Sequence, residues 1–349
     1  MKFNYEDIFL TGSSGWLGKQ VIDSLINNDP DVLVLEKTDK LNINCFMHES
    51  EDASFLKKYD NHTSIFKGNL KRDEDIKNFL YKAEDSLLIH TAGVIHPKKI
   101  EEFYEVNLES TKKLVEEAER KNIKKIIVIS SNSPLGCNES NSELFDESSQ
   151  YNPYMNYGKS KEKMEIYLKE KINSGLDITI LRPPWFYGSN MPERQMRFYQ
   201  MIINGRFPII GDGTNVRSQA NVKNITQAIL LASIKEISKG KIYWIADKEN
   251  LNMNEIINVI KTVFEQEFSI KTKKNLPKIP FFVGQIFEYL DRNLQSMKIY
   301  SQAIHVLSEM NKNIACDISL AIKELDYDPK VNLYKGTAEA YQQHLDGKS

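Results

Sequence analysis

Cysteine is scarce in this chain: Cys45, Cys137 and Cys316 stand far apart, without the spacing of a disulfide framework or a zinc site. A reducing cytoplasm is the expected location, and no metal is expected. Long apolar runs are also missing. No stretch reaches the roughly 18 uninterrupted apolar residues of a membrane span. The opening MKFNYEDIFLTG breaks its short apolar run with acids, so no targeting signal is readable. Neither sign of charge dominates, with 46 Lys and Arg against 48 Asp and Glu and a formal net charge of -2. No global field draws such a chain onto nucleic acid or an anionic membrane. Repeats and low-complexity tracts are absent as well. What remains is ordinary globular composition, 41% hydrophobic and 27% charged, in 349 residues, enough for two lobes. A small molecule is the expected partner, and a homodimer is allowed.

Strand-like runs alternate with helical patterns through the first half: Ile8 to Leu10, Val32 to Leu35, Ser64 to Phe66, Leu87 to Ile89, Ile126 to Ile129 and Ile178 to Leu181. Segments such as Trp16 to Ile26 and Asn107 to Glu119 lie between them as crossover helices. The expected fold class is α/β, a Rossmann-type doubly wound parallel sheet. Past Arg182 the rhythm breaks at Pro183, Pro184, Pro192 and Pro208, so the expected division is 1–182 for cofactor binding and 183–349 for a smaller substrate-binding lobe. Ile242 to Ala246 and Asn254 to Phe264 read as a strand and a helix that return to the main sheet.

Directly after the first run comes TGSSGWLG, which puts Gly12, Gly15 and Gly18 on a strand-to-helix turn. Missing side chains there let backbone N–H groups and the helix dipole approach a pyrophosphate; the bland alternative is a tight turn with close helix packing. Glu36, at the end of the expected second strand, is placed to accept from both adenosine ribose hydroxyls and to repel a 2′-phosphate. That favours NAD over NADP, although Lys37 beside it suits the phosphate. Tyr157 and Lys161 share one helical face at i and i+4, where an ammonium lowers a phenol's pKa toward the working range for proton exchange. Tyr167 and Lys171 repeat the spacing, but Tyr157 follows a polar loop and opens its helix whereas Tyr167 sits mid-helix. Ser131, at the carboxyl end of the fifth strand, is the choice for holding a substrate oxygen, against plain turn chemistry before Pro134 and Gly136.

Taken together, the glycine turn, Ser131 and Tyr157/Lys161 resemble the extended short-chain dehydrogenase/reductase family, the NAD-dependent epimerase/dehydratase group. The resemblance covers most of the chain. LIHTAG, ending in Thr91, Ala92 and Gly93, is similar to the family's V-x-H-x-A-A segment, with Gly93 where a second Ala is usual. Asn107 matches the Asn that begins the fourth crossover helix. RPPWFYG matches R-P-x-x-x-Y-G, whose backbone lies on the nicotinamide. Gly68-Asn69-Leu70 replaces Gly-Asp-Leu, and Asn69 still has a side-chain amide for adenine. The resemblance implies a cofactor site of Gly12, Ser14, Gly15, Trp16, Leu17, Gly18, Glu36, Asn69, Leu70, Thr91, Ala92, Gly93, Asn107, Tyr157, Lys161, Pro184 and Phe186.

Departures bear on the reaction. Dehydratase relatives carry an Asp-Glu pair after the active-site hydroxyl; Asn132 and Ser133 stand here, which argues against sugar 4,6-dehydration. GDGTNVRSQANV resembles the segment in which nucleotide-sugar epimerases place an arginine on the substrate pyrophosphate, and Arg217 takes that position, with Ser133 as a second substrate contact. The leading expectation is an NAD-dependent oxidoreductase or epimerase interconverting a secondary alcohol and a ketone on a nucleotide-activated sugar. LPKIPFFVGQIFEYL, Leu276 to Leu290, resembles instead the apolar segment of the 3β-hydroxysteroid dehydrogenase branch, so an apolar alcohol is the alternative substrate; an ordinary packed helix reads equally well there. A non-catalytic dinucleotide sensor is the third reading, weakened by the presence of both Tyr157 and Lys161.

Overall fold

Alternation along the strands sets the architecture. In β1 (Asp7–Thr11), Ile8 and Leu10 enter one hydrophobic core while Phe9 enters another on the opposite face. The computed structural model describes residues 1–36 and 40–347. β2 (Asn42–His48), β3 (Thr63–Gly68), β4 (Leu87–His90), β5 (Lys125–Ile129) and β6 (Ile178–Arg182) follow. Their order in space is β3-β2-β1-β4-β5-β6, and every pairing is parallel. The direction of winding reverses between β1 and β4, so a crevice opens at their carboxyl ends.

The crossover helices are α1 (Trp16–Asn27), α2 (Asp73–Phe79), α3 (Glu101–Tyr104), which continues through a π-helical segment (Glu105–Ser110) into α4 (Thr111–Arg120), and α5 (Met155–Asn173). α1 buries Leu17, Val21, Ile22 and Leu25 on one face of the sheet; α4 and α5 bury Leu114, Val115, Met164 and Leu168 on the other. Beyond Arg182 come β7 (Trp185–Tyr187), α6 (Glu193–Ile203), β8 (Ile209–Ile210), β9 (Val216–Arg217), β10 (Gln219–Asn221) and α7 (Val222–Ile234). β11 (Ile242–Trp244), β12 (Leu251–Asn252), α8 (Met253–Glu267), β13 (Lys278–Ile279), α9 (Phe281–Ser296), α10 (Gln302–Glu309), α11 (Ser319–Leu325) and α12 (Leu333–Asp346) complete the order. β11 joins β6 as the seventh parallel strand, and α7 packs into the core beside α1. α11 joins that same core through Ala321 and Leu325, whereas α6, α8 and α12 gather around a separate core of Tyr199, Ile202, Ile256, Ile260, Phe264 and Leu333. The second lobe is therefore interrupted by segments that belong to the sheet.

One strand does not lie where the sequence pattern puts it. Val32 to Leu35 is not a strand; Glu36 bridges Lys2, with its N–H donating to Met1 O at 2.8 Å and its carbonyl accepting from Phe3 N–H at 3.0 Å. The cause is local. Asn28 takes a left-handed φ of 59° at the end of α1, and its side-chain amide brackets the backbone of Leu35 at 2.9 and 3.1 Å, turning the chain along the amino end of the sheet. Glu36 is thus remote from the carboxyl ends of the strands, which corrects its expected place beside the cofactor ribose. Lys37 falls outside the described residues. Among the described residues no helix is long and apolar enough to cross a membrane.

Candidate active site

The glycine turn leads from β1 into α1, where Gly15 is the N-cap and its N–H donates to Gly12 O at 2.9 Å. A Cβ on residue 18 would lie 2.1 Å from Gly12 O, so only glycine lets α1 close on the turn and leave its first N–H groups facing the crevice. That cradle fits a pyrophosphate. Trp16 donates its indole N–H to Ser189 O at 2.5 Å and meets Phe186 edge-on, tying the start of α1 to the loop after β7. Leu17 and Leu70 are buried in the two cores, so only their backbone is available to a ligand. The carboxylate that reaches this turn is Glu51, three residues past β2. Its Oε2 accepts from His48 N–H at 2.8 Å, and the Ser14 hydroxyl donates to the same oxygen. Asn69 is fixed just after β3, its N–H donating to Asp75 at 2.7 Å and its Oδ1 accepting from Lys71 N–H at 3.0 Å.

At the end of β4, Thr91 donates its hydroxyl to Thr11 O at 2.8 Å, and Ala92 and Gly93 continue along the crevice. Asn107 lies in the π-helical segment, a local widening frequent at functional sites. Its amide brackets Val94 at 2.8 and 3.0 Å and donates to Ser160 Oγ at 3.2 Å. His90, behind it, lies between the Thr11 and Thr111 hydroxyls at 2.6 and 2.9 Å, and burial pushes its pKa down to about 3, so it stays neutral.

Ser131 and Tyr157 are brought together by an unusually close approach of α5. A Cβ on Gly158 would sit 2.5 Å from Ser133 O, and Met155 enters the helix at a positive φ of 52°. Tyr154 N–H donates to Ser133 O at 3.1 Å and locks this junction. Ser131 Oγ is 3.2 Å from Ser133 Oγ and accepts from Ser133 N–H at 3.2 Å. Burial pushes the Tyr157 phenol up to about 12, and its hydrogen bond with Ser131 opposes that rise. The expected depression by Lys161 is therefore corrected: the phenol is held protonated. Lys161 is itself buried and drawn down to about 8, with Glu165 opposing the fall, and its Nζ donates to Ile129 O at 3.0 Å. Tyr167 faces α4 instead, its hydroxyl 3.4 Å from Lys112 O.

Trp16, Ser131, Ser133, Tyr157, Pro184 and Phe186 line a cleft of about 290 Å³ between the sheet and the second lobe. Arg217 enters the same cleft from β9, with Nη1 donating to Glu309 O at 2.9 Å, the guanidinium 5.5 Å from the Trp185 ring centroid, and a buried Nε without a partner. Sequence reasoning missed Arg194, His96, His305 and Glu309, which also line it. Arg194, on α6, forms no ion pair among the described residues. His305 holds Asp291 at 2.7 Å; burial opposes its charge, but Asp291 and Glu309 prevail and raise its pKa. His96 pairs with the Tyr300 hydroxyl at 2.7 Å, and burial pushes it down to about 4. Glu36, at the amino end of the sheet, does not line this cleft.

A doubly wound sheet with a glycine cradle at its first crossover and a Ser–Tyr–Lys set at the crevice defines a Rossmann-type dinucleotide-binding protein. More narrowly, residues 8–246 match the NAD dependent epimerase/dehydratase family, and the chain belongs to it. It is 41% identical over 331 residues to the uncharacterized protein y4nL of Sinorhizobium fredii, covering 94% of this chain and 92% of that one. It is 31% identical over 191 residues to the N-acetyl-alpha-D-glucosaminyl-diphospho-ditrans,octacis-undecaprenol 4-epimerase of Escherichia coli O157:H7, covering 54% of this chain and 55% of that one. Among solved structures, the UDP-glucuronic acid 4-epimerase from Bacillus cereus in complex with NAD superimposes with a TM-score of 0.74 at 18% identity, covering 98% of this chain and 100% of that one.

Proposed function

We propose that this chain uses NAD to interconvert a secondary alcohol and a ketone on a nucleotide-activated sugar. The observation that carries the reading is the meeting of Ser131 and Tyr157 with two guanidinium groups, Arg194 and Arg217, in one cleft. An activated sugar presents a hydroxyl to the first pair and a diphosphate to the second. The activated-sugar substrates named for the related epimerases support it.

In this reading the first turn of α1 receives the cofactor pyrophosphate, Asn69 meets adenine, and Thr91 to Gly93, Asn107, Pro184 and Phe186 wall the site. Glu51 takes the role expected of Glu36: with Oε2 already engaged by Ser14 and His48, Oε1 accepts from the ribose hydroxyls, and its charge disfavours a 2′-phosphate. Acceptance and return of hydride at the substrate carbon is the chemistry that NAD would supply when held there. Tyr157 Oη, protonated at neutral pH, donates its proton to the carbonyl oxygen on reduction and takes the hydroxyl proton on oxidation. Ser131 holds that same oxygen, and Ser133 orients Ser131. Lys161 holds the nicotinamide ribose and adds positive charge behind the phenol. Arg194 and Arg217 grip the diphosphate. Asn132 and Ser133 supply no acid and base for water loss, so the product keeps every oxygen of the substrate, one of them as hydroxyl or ketone.

A cytoplasmic setting accords with three free cysteines, two of them buried. The deciding experiment incubates purified protein with NAD and panels of nucleotide sugars and hydroxysteroids, following NADH absorbance and the stereochemistry of the product by NMR. Conversion of a nucleotide sugar is expected. Oxidation of a hydroxysteroid with every nucleotide sugar left unchanged would overturn the reading.

A further inference from the structure

Helix α9 is built inside out. Its buried residues are Gly284, Asp291 and Gln295, the last two 0% and 5% exposed. At about 100° per residue, Phe282, Ile286, Tyr289, Leu290 and Met297, the residue just past its end, share the opposite arc, interrupted only by Asn293. These five are 58%, 49%, 68%, 41% and 68% exposed. Half-buried Val283, Phe287 and Leu294 flank this inward side, and its fully buried polar pair supports the cleft. Asp291 accepts from His305 at 2.7 Å, from Ser308 Oγ at 3.3 Å and from Gln295 at 2.9 Å, and Gln295 in turn accepts from Asn156 at 3.0 and 3.1 Å. A helix that packs this network inward carries its apolar stripe outward, where water is a poor neighbour.

Charge gives the second observation. The approach to α9, KTKKNLPK from Lys271 to Lys278, has no carboxylate, and Lys271, Lys273, Lys274 and Lys278 are all exposed. None of the four forms an ion pair among the described residues. The acids of α9 do not offset them, since Glu288 is paired with Arg292 and Lys312 and Asp291 is buried; the carboxylates nearest the segment are Glu265, which accepts from Thr272, and Asp212, near Lys278, two against four lysines. The whole-chain charge of -2 conceals this local patch.

We propose that the outer face of α9, with the lysine-rich segment before it, docks on the surface of an anionic phospholipid bilayer, the helix lying in the plane of the headgroups. Apolar side chains enter the acyl boundary, and the lysines meet lipid phosphates. A second copy of the chain fits this face less well, because a two-fold contact brings the same unpaired lysines toward each other. α9 packs on α10, which contributes His305, Val306 and Glu309 to the cleft, so docking sets the active site beside the lipid. This inference does not depend on which substrate the cleft takes.

The test is flotation of the full chain with vesicles of phosphatidylcholine alone or mixed with phosphatidylglycerol. Binding to the anionic vesicles that weakens as salt rises is expected. Phe282→Ser with Tyr289→Ser should lower partitioning about tenfold or more, and Lys273→Glu with Lys274→Glu about fivefold per residue or more. All four side chains are exposed, and thermal melting with NAD titration identifies any variant that fails to fold. Wild type that stays unbound at low salt overturns the proposal. So does binding unaffected by either pair of substitutions, or a stable dimer by light scattering that Phe282→Ser converts to monomers while vesicles remain empty.

Discussion

Replacing Glu51 by Ala should move cofactor preference, and replacing Glu36 should not. Glu51 is anchored by two donors on Oε2, the Ser14 hydroxyl of the glycine turn and the His48 N–H at the end of β2, which leaves Oε1 directed by a preorganised carboxylate rather than a free side chain. Hydrogen bonds from ribose hydroxyls to a charged acceptor contribute about 1.5–3 kcal/mol, so NAD affinity should fall roughly tenfold to a hundredfold. NADP affinity should hold or rise, because the repulsion of a 2′-phosphate disappears with the carboxylate. The stability cost is small, since Glu51 is exposed and exposed polar contacts contribute about 0–1 kcal/mol. Fluorescence titration of both nucleotides against wild type, Glu51→Ala and Glu36→Ala separates the two acids. If Glu36→Ala loses NAD affinity while Glu51→Ala keeps it, the placement of β2 and the whole derivation of the ribose site are wrong.

Tyr157→Phe should lower kcat about a hundredfold to ten-thousandfold with NAD affinity retained, while Tyr167→Phe, on the α4 side of the same helix, should stay near wild type; equal losses in steady-state assays would refute the assignment. Arg217→Ala should raise KM for a nucleotide sugar roughly tenfold to a hundredfold, with a parallel melt to account for the lost Trp185 stacking, and an unchanged KM in a folded variant would point to an apolar alcohol. His305→Gln should cost stability mainly on the acid side. The raised imidazole pKa contributes stability that is fully present below the ordinary value of 6.5 and is lost as pH climbs past the folded value, so denaturant midpoints of wild type and variant should converge in alkali. A constant gap across pH would show that His305 is not charged by Asp291 and Glu309.

Short apolar runs, buried at every position in β4, β5 and β6, made these strands and β1 and β3 legible, and β2 escaped for a specific reason. Val32 and Leu35 are buried and apolar, so their segment mimics a strand, yet it packs as irregular chain along the sheet's amino end. The true β2 opens with Asn42 and Asn44, polar residues satisfied by Asp7 across the strand pair at 3.0 and 3.3 Å, while Ile43, Cys45 and Met47 face the core. A pairing partner 35 residues away cannot be read from a local window. The spacing from the glycine turn to Glu36 then looked right by coincidence, and the carboxylate that reaches the turn stood unnoticed at position 51.

The rest of the site was hidden by a different limit. Ser131, Tyr157 and Lys161 lie on consecutive elements whose order the sequence carries, whereas Arg194, His305 and Glu309 arrive from α6 and α10 only when the second lobe closes over the crevice. Their charges read as solvated helix faces until that closure is known. Helix α9 makes the limit explicit. Its 3.6-residue periodicity distinguishes an apolar from a polar side, but the same pattern results whichever side is inside. Here the need to hold His305 at the cleft through buried Asp291 decided the orientation, and the apolar side was left outward.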